Sequence, residues 1–289
     1  MPFMLKAARD GYGTPFEERL PELEFIATRL RAMHGAELGW AQKAVKSYVV
    51  LSLEFLKLQK LLEQTGRYLY SSERETHASV YQNEEVFGGY YLPGLLLSEA
   101  LWPNHHRLAA GLRDEFFPLI PANGKVLEVG VGSGYHLAEL MRSREDVRYD
   151  GFDISRFAID FAERFALDSA QRQRASFVLG DAVCGIDVPE ASYDAIICGE
   201  VLEHVDDPGK LMSEFRRILK PRHYAFITTV IFAANIDHVF MFEDAVAIRE
   251  FIVENGWSIV RDWVLPIYAQ DSPEARKRPM NYGAIVTPR

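Results

Sequence analysis

Val126-Leu-Glu-Val-Gly130-Val-Gly132-Ser-Gly134-Tyr-His136 decides how the second half of this 289-residue chain is read. A short apolar run enters a tight glycine turn, and a segment of helical period, 136–144, leaves it. In an open α/β sheet, ligands sit where such turns follow the carboxyl ends of strands. Glycines there let the backbone come close to a ligand and adopt φ angles that other residues avoid. The dinucleotide fingerprint G-x-G-x-x-G would need its third glycine at position 135, which is Tyr135. The spacing is instead G-x-G-x-G, with Glu128 two residues before the first glycine. An acid at that point suits a ligand carrying positive charge and is out of place beside a pyrophosphate.

Outward from this turn, short β-branched runs alternate with helical patterns. The strand candidates are Lys125–Val129, 148–152, Ala175–Leu179, 193–198, 223–229, 257–264 and 282–286, with 157–169 a further helical segment. Such alternation means a mostly parallel seven-stranded sheet with helices on both faces. The last two candidates are joined by a loop, so they are expected to form an antiparallel pair at the sheet edge. Two more acids end strands. Asp153, followed by Ile154, closes the second strand, where a carboxylate can accept both ribose hydroxyls. Asp181 closes the third, where it can bond an adenine amino group, and Ala182 follows it.

E-x-G-x-G-x-G, then D, then G-D-A, then Y-D-x-I-x-x-x-x-x-x-E-H is a four-part pattern over residues 128–204. It resembles the class I S-adenosylmethionine-dependent methyltransferases, over about residues 118–289. The ammonium and sulfonium of that cofactor account for Glu128. The resemblance implies the Rossmann-like methyltransferase sheet and S-adenosylmethionine as cofactor. It also implies that Glu128, Gly130, Gly132 and Gly134 line the methionine end. Asp153 would hold the ribose, Asp181 and Ala182 the adenine, and Glu200 would stand at the end of the fourth strand. Tyr135 and Ile154 join this cofactor set by position, and His136 faces the methionine end or the substrate.

Glu200, Glu203 and His204 have i, i+3, i+4 spacing, which gathers them on one face of a helical turn. Two carboxylates and an imidazole so placed suit a divalent cation such as Mg²⁺, Mn²⁺ or Fe²⁺. His238 follows the fifth strand in Asp237-His-Val-Phe240, and neighbouring strands would bring it to the same cleft. E-x-x-E-H with D-H-x-F is similar to the metal-dependent small-RNA 2′-O-methyltransferases, and E-x-x-E-H to the ubiquinone-biosynthesis O-methyltransferases. The expected metal set is Glu200, Glu203, His204 and His238. The alternative stays open: the same residues cap the next helix and shape the cofactor pocket without metal. In that case His238 or His204 is the general base, with Glu200 beside them.

Residues 1–117 read as mainly helical, at 18–32 and 40–64, and form the natural roof of the site. Val45, Val49, Leu53, Leu56 and Leu61 line one side of the second helix. That face is expected to pack on the rest of the protein, with a homodimer interface as the alternative. Phe87-Gly-Gly-Tyr90-Tyr91 sets turn glycines beside two tyrosines, which are expected to close over cofactor or substrate. His105 and His106 read as polar residues at a helix start. His34, His77 and His223 show no arrangement. Cys184 and Cys198 lack a partner at metal-ligand spacing, and the basic run 274–279 reads as a solvated loop. Arg222-His223 stands where two glycines commonly follow L-K-P and reads as a loop change.

The formal charge of −9 argues against nucleic acid and anionic membrane as partners. Two cysteines and an N-terminus without an apolar core point to a cytoplasmic protein. Apolar residues at 48% and charged at 25% exclude a disordered chain. The reading is methyl transfer to an oxygen of a small molecule in a biosynthetic setting. Two rivals stand beside it: a cofactor-binding protein that catalyses a non-methylating reaction, and an RNA 2′-O-methyltransferase.

Overall fold

The architecture is read from a computed structural model that describes residues 16–35, 37–267 and 276–289. Helices α1 (Phe16–His34), α2 (Trp40–Thr65), α3 (Leu92–Leu101) and α4 (Pro103–Gly111) precede the sheet. Between α2 and α3 lie a short helical turn, Glu73–Thr76, and two wide π-type turns, His77–Tyr81 and Phe87–Tyr91. The sheet half then runs β1 (Lys125–Val129), α5 (Tyr135–Ser143), β2 (Arg148–Asp153), α6 (Arg156–Ala166), β3 (Ala175–Leu179) and β4 (Tyr193–Gly199). It continues with α7 (Pro208–Ile218), β5 (Leu219–Ile231), α8 (Ala245–Glu254), β6 (Trp257–Pro266) and β7 (Met280–Pro288).

The strand order is β3-β2-β1-β4-β5-β7-β6. The first five strands are parallel, and β7 pairs antiparallel with both β5 and β6. The expected fold class and antiparallel edge pair are therefore present. The order turns back between β1 and β4, so their carboxyl ends open the crevice in which such sheets bind ligands.

Strand alternation sorts the side chains into two cores. Val126, Ala195, Ile197 and Phe226 face one side, where helices α1 to α6 cover them. Leu127, Ile196, Cys198 and Ile227 face the other, against α7 and α8. Helix α2 belongs to both, with Tyr48 and Leu51 in the first and Leu58 and Leu62 in the second. It therefore spans the strand ends as a roof. Helix α3 comes very close beneath it: a Cβ on Gly94 would stand 2.9 Å from the Ser47 carbonyl oxygen.

The expectation for α2 is corrected. Val45, Leu53 and Leu56 are exposed, and the buried side carries Ala44, Ser47, Tyr48, Leu51, Leu58, Gln59 and Leu62. Polar side chains decide this. Gln59 donates to the Phe232 carbonyl and accepts from the Ala234 N–H, and the Tyr48 hydroxyl accepts from Trp102 Nε1. Buried polar groups need such partners, so the side that finds them goes inward.

Strand β5 begins at Leu219, ahead of the expected start at 223. A register shift opposite Asp194 accommodates the extra residues, with Arg222 at φ 64°. Of the run 274–279, residues 274 and 275 lie outside the described residues, as does the N-terminal segment read for targeting. Arg276 and Lys277 pair with Glu243, and Arg276 also with Asp244. Among the described residues no helix is long and apolar enough to cross a membrane.

Candidate functional site

A cavity of about 410 Å³ lies between the strand ends and the α2–α4 roof. Its floor is the turn after β1. Gly130, Gly132 and Gly134 all have positive φ. A Cβ on Gly134 would sit 2.7 Å from Cα of Ala162, so this glycine lets α5 pack on α6. A Cβ on Gly132 would meet no atom closer than 4.0 Å. Its φ of 47° favours glycine, and the missing side chain leaves an open cradle into the cavity.

The strand-end acids surround this cradle. Asp153 accepts from the N–H of Gly132 at 3.2 Å and of Ser155 at 2.7 Å. Burial pushes its carboxyl up to about 6, although those N–H bonds oppose the shift. Ile154 is exposed at the mouth of the cavity. Asp181 caps the turn after β3, accepting from the Val183 N–H at 2.9 Å, and Cys184 Sγ lies 3.2 Å from it. Glu128 is buried and accepts from the Tyr149 hydroxyl and from His136 Nδ1 at 3.0 Å. Burial alone would lower the His136 pKa, but the bond to Glu128 outweighs it and the imidazole is held above its usual value. Gly199 makes room for that ring: a Cβ there would lie 2.4 Å from it. Tyr135 borders the cavity with its ring, while its hydroxyl is buried beside Glu22 and Glu139.

In the same cavity, Glu203, His204 and His238 each bring one donor atom within 4.8 Å of the others. His204 Nδ1 donates to the Asp237 carbonyl at 3.0 Å, and His238 Nδ1 to the Ala233 carbonyl at 2.8 Å. Those bonds fix each Nδ1 as a donor, and the Glu200 carbonyl is a further backbone partner of the His204 ring. His204 Nε2 stands 4.0 Å from Glu203 Oε1, a buried oxygen with no hydrogen-bond partner. The other Glu203 oxygen accepts from Thr229 Oγ1 at 2.7 Å. The two imidazoles are driven apart electrically. Burial opposes charge on His204, but Asp237 and Glu203 outweigh it and raise its pKa. Burial and the neighbouring His204 lower that of His238.

Glu200 corrects the expected four-residue set. It borders the same cavity but stands outside the cluster, with φ 53° and one carboxylate oxygen accepting from Asn281 Nδ2 at 3.2 Å. Its other oxygen is buried without a partner, and burial together with Glu203 pushes the carboxyl well above the usual range. The i, i+3, i+4 rule failed because residues 200–201 are not helical, and only Leu202–His204 forms a 3₁₀ turn.

The expected tyrosine pair also splits. Tyr91 is buried in the cavity wall, with its hydroxyl on Asp237 Oδ1 at 3.1 Å. Tyr90 points elsewhere and donates to Glu54 at 2.7 Å. Adjacent residues on a helical turn cannot share a face. Tyr81 takes the second place, donating to Asp237 Oδ2 at 3.1 Å. With Phe87 and Tyr68 these rings form a ladder through the site. Ring centroids are 5.3 Å apart for Tyr91–Phe87, 5.0 Å for Phe87–Tyr81, 6.4 Å for Tyr81–His204, 5.0 Å for His204–His238 and 5.5 Å for His238–Tyr68.

His105 stands at the start of α4, as expected. It is buried in the cavity wall against Trp102, with Nδ1 3.1 Å from Ser98 Oγ, and burial takes its pKa down to about 3. Glu99 and His77 also line the cavity, and burial raises Glu99 to about 7. Of the residues the sequence reading missed, only Asp237 carried a signal, next to His238. Tyr81, Glu99 and Asn281 had none.

A family model described as a methyltransferase domain matches residues 101–257, more than half of the chain. The ubiquinone biosynthesis O-methyltransferase of Leptothrix cholodnii is 31% identical over 106 residues, covering 37% of this chain and 44% of that protein. The chain thus spans less than half the length of the curated relatives it matches. Among solved structures, the [4+2]-cyclase SpnF superposes with a TM-score of 0.53 at 14% identity, covering 84% of this chain and 96% of its own. The MccD protein also gives 0.53, at 11% identity, covering 65% and 98%. At such identities these two likenesses speak for the fold alone. The sheet order, the glycine cradle and the family match agree: the chain belongs to the S-adenosylmethionine-dependent methyltransferase family.

Proposed function

We propose that this protein transfers a methyl group from S-adenosylmethionine to an oxygen of a small molecule, with Glu203, His204 and His238 holding a divalent cation at the acceptor. One observation carries the reading. The orphaned Glu203 Oε1 and the rings of His204 and His238 border the same cavity as the glycine cradle, with one donor atom of each of the three residues within 4.8 Å of the others. Two nitrogens and a carboxylate oxygen fit Mn²⁺ or Fe²⁺ well. The cradle fits the cofactor: the open face of Gly132 and the Asp153 carboxylate are what a nucleoside needs at a strand end.

Bound cofactor supplies an electrophilic methyl carbon on a cationic sulfur. A cation held by the cluster supplies Lewis acidity that lowers the pKa of a substrate hydroxyl. The chain's own residues do the rest. In this reading Glu128 and the glycine cradle hold the methionine end, Asp153 the ribose, and Asp181 and Ala182 the adenine. Leu51, Phe55, Phe87, Leu95 and Trp102 provide an apolar wall that excludes water and orients the acceptor for in-line attack. In this reading residues 1–117 are the lid and substrate-recognition part and 118–289 the catalytic domain. The cavity is of a size suited to small molecules. A cytoplasmic setting is supported by two free cysteines, and a homodimer by the exposed Val45–Leu53–Leu56 stripe, which sedimentation equilibrium tests.

A second reading rests on His238. Its Nδ1 is fixed by Ala233 and its pKa is lowered, so neutral imidazole is available as a base without metal. One experiment tests both. Purified protein is stripped with chelator, then given S-adenosylmethionine and a panel of catechols, vicinal diols and 2-oxo acids, with and without Mn²⁺, Mg²⁺ or anaerobic Fe²⁺. Metal-dependent S-adenosylhomocysteine formation supports the first reading, and metal-independent formation the second. An acceptor consumed without S-adenosylhomocysteine overturns both in favour of a non-methylating reaction.

A further inference from the structure

Asp237 has no part in the chemistry above, yet its carboxylate is buried and held on both oxygens. Tyr91 donates to Oδ1 and Tyr81 to Oδ2, each at 3.1 Å, and Asn235 Nδ2 donates to the Tyr91 hydroxyl at 3.0 Å. Both tyrosines come from the wide turns between α2 and α3. The same residue reaches the reaction centre through its backbone. Its carbonyl accepts from His204 Nδ1, its Oδ2 lies 3.6 Å from that nitrogen, and the next residue is His238.

The other end of this segment is held in the same manner. Gln59 of α2 brackets it, donating to the Phe232 carbonyl at 3.2 Å and accepting from the Ala234 N–H at 3.0 Å. Tyr68 donates to the Ala233 carbonyl at 3.1 Å, the same oxygen that receives His238 Nδ1. Taking a carboxylate out of water is unfavourable, and two neutral hydroxyls compensate it only in part. Such a group adds little to stability and much to position.

We propose that residues 232–238 form a strap that the N-terminal helices hold at both ends, with Asp237 as the positioning residue that sets the rings of His204 and His238 in the cavity wall. The strap ties docking of the roof to assembly of the reaction centre. It rests on the proposed function in one respect, that these two histidines act on the acceptor.

The test uses the full chain with two variants. Asp237→Ala removes the anchor. The double variant Tyr81→Phe with Tyr91→Phe removes only two hydroxyl groups, and so keeps the inference testable where the alanine chain does not fold. S-adenosylhomocysteine affinity by calorimetry stays at the wild-type value, because the cradle is untouched. Long-range ¹H–¹⁵N spectra of the histidine rings, taken at one fixed alkaline pH, change from single sharp tautomers to averaged signals for both residues. Turnover falls by about 10–100-fold while the KM for the acceptor changes little. Tyr90→Phe, outside the cavity, leaves the spectra unaltered. Histidine spectra that stay wild-type in both variants overturn the strap, as does a turnover loss explained wholly by weaker cofactor binding. A wild-type protein that methylates no acceptor removes the proposed function instead, and the strap still stands or falls on the ring spectra.

Discussion

The glycine cradle and the histidine cluster border one cavity, yet they are built by different means. The cradle is local. Glu128, the three glycines and Asp153 lie on two neighbouring strands and the turn between them, and backbone N–H groups do most of the holding. The cluster is assembled from afar. Gln59, Tyr68, Tyr81 and Tyr91 bond through their side chains to partners that lie between 144 and 175 positions away in sequence. A binding floor made by local backbone geometry tolerates changes overhead. A reaction centre held by distant side chains does not, so the two halves should respond separately to substitution.

The sharpest separation is expected from His238→Ala. Loss of the base or ligand lowers turnover by about 10²–10⁴-fold, while calorimetry finds S-adenosylhomocysteine affinity unchanged. Weakened cofactor binding in that variant would break the division between the halves. The converse substitution is Gly132→Val. The side chain enters the open cradle at a left-handed position, with backbone strain of about 1–2 kcal/mol. Cofactor affinity is expected to fall about 100-fold or more, a loss of ~3 kcal/mol, while the histidine-ring spectra keep their wild-type form.

A smaller effect should appear with pH. The buried Asp153 carboxyl titrates at about 6, and ribose hydroxyls donate to its ionised form. Cofactor affinity therefore falls as pH drops through that value, approaching about tenfold per pH unit below it, and Asp153→Asn flattens the profile measured by calorimetry. For the free protein the sign is reversed. The native carboxyl keeps its proton to higher pH than the unfolded one, so its contribution to stability is present below 3.8 and is lost as pH rises to about 6. Thermal melts of wild type and Asp153→Asn across that window check it. The smallest effect belongs to Tyr90→Phe. Its hydroxyl bonds Glu54 outside the cavity, so stability shifts by less than about 0.5 kcal/mol and the acceptor KM is unchanged. A raised KM would put the Tyr90 side of the roof in contact with substrate.

Much of the cradle could be read from the chain before its structure. The turn glycines, the acids ending β1, β2 and β3, and the run of parallel strands closed by an antiparallel pair are short-range patterns. Strand period, turn chemistry and chain order carry them. The errors fell where faces had to be chosen. On α2 the stripe of Val45, Leu53 and Leu56 is as apolar as the buried one, and hydrophobicity could not separate them. Gln59 settled the choice by finding two backbone partners. Tyr90 and Tyr91 look equivalent in sequence, and the wide turn sends them to different sides. Glu200 fits a helical spacing rule that its φ of 53° breaks, and Asn281 on β7 claims the carboxylate instead.

By itself, the sequence determined the mostly parallel sheet with its antiparallel edge pair and the glycine turn after β1, because each depends on residues near one another in the chain. Only the tertiary structure decided which side chains meet at the reaction centre. Glu203 gains its orphaned oxygen from burial, the Nδ1 atoms of His204 and His238 are fixed by carbonyls of one segment, and that segment bonds to the roof. Those are packing and hydrogen-bond choices among groups far apart in sequence, and no local pattern encodes them.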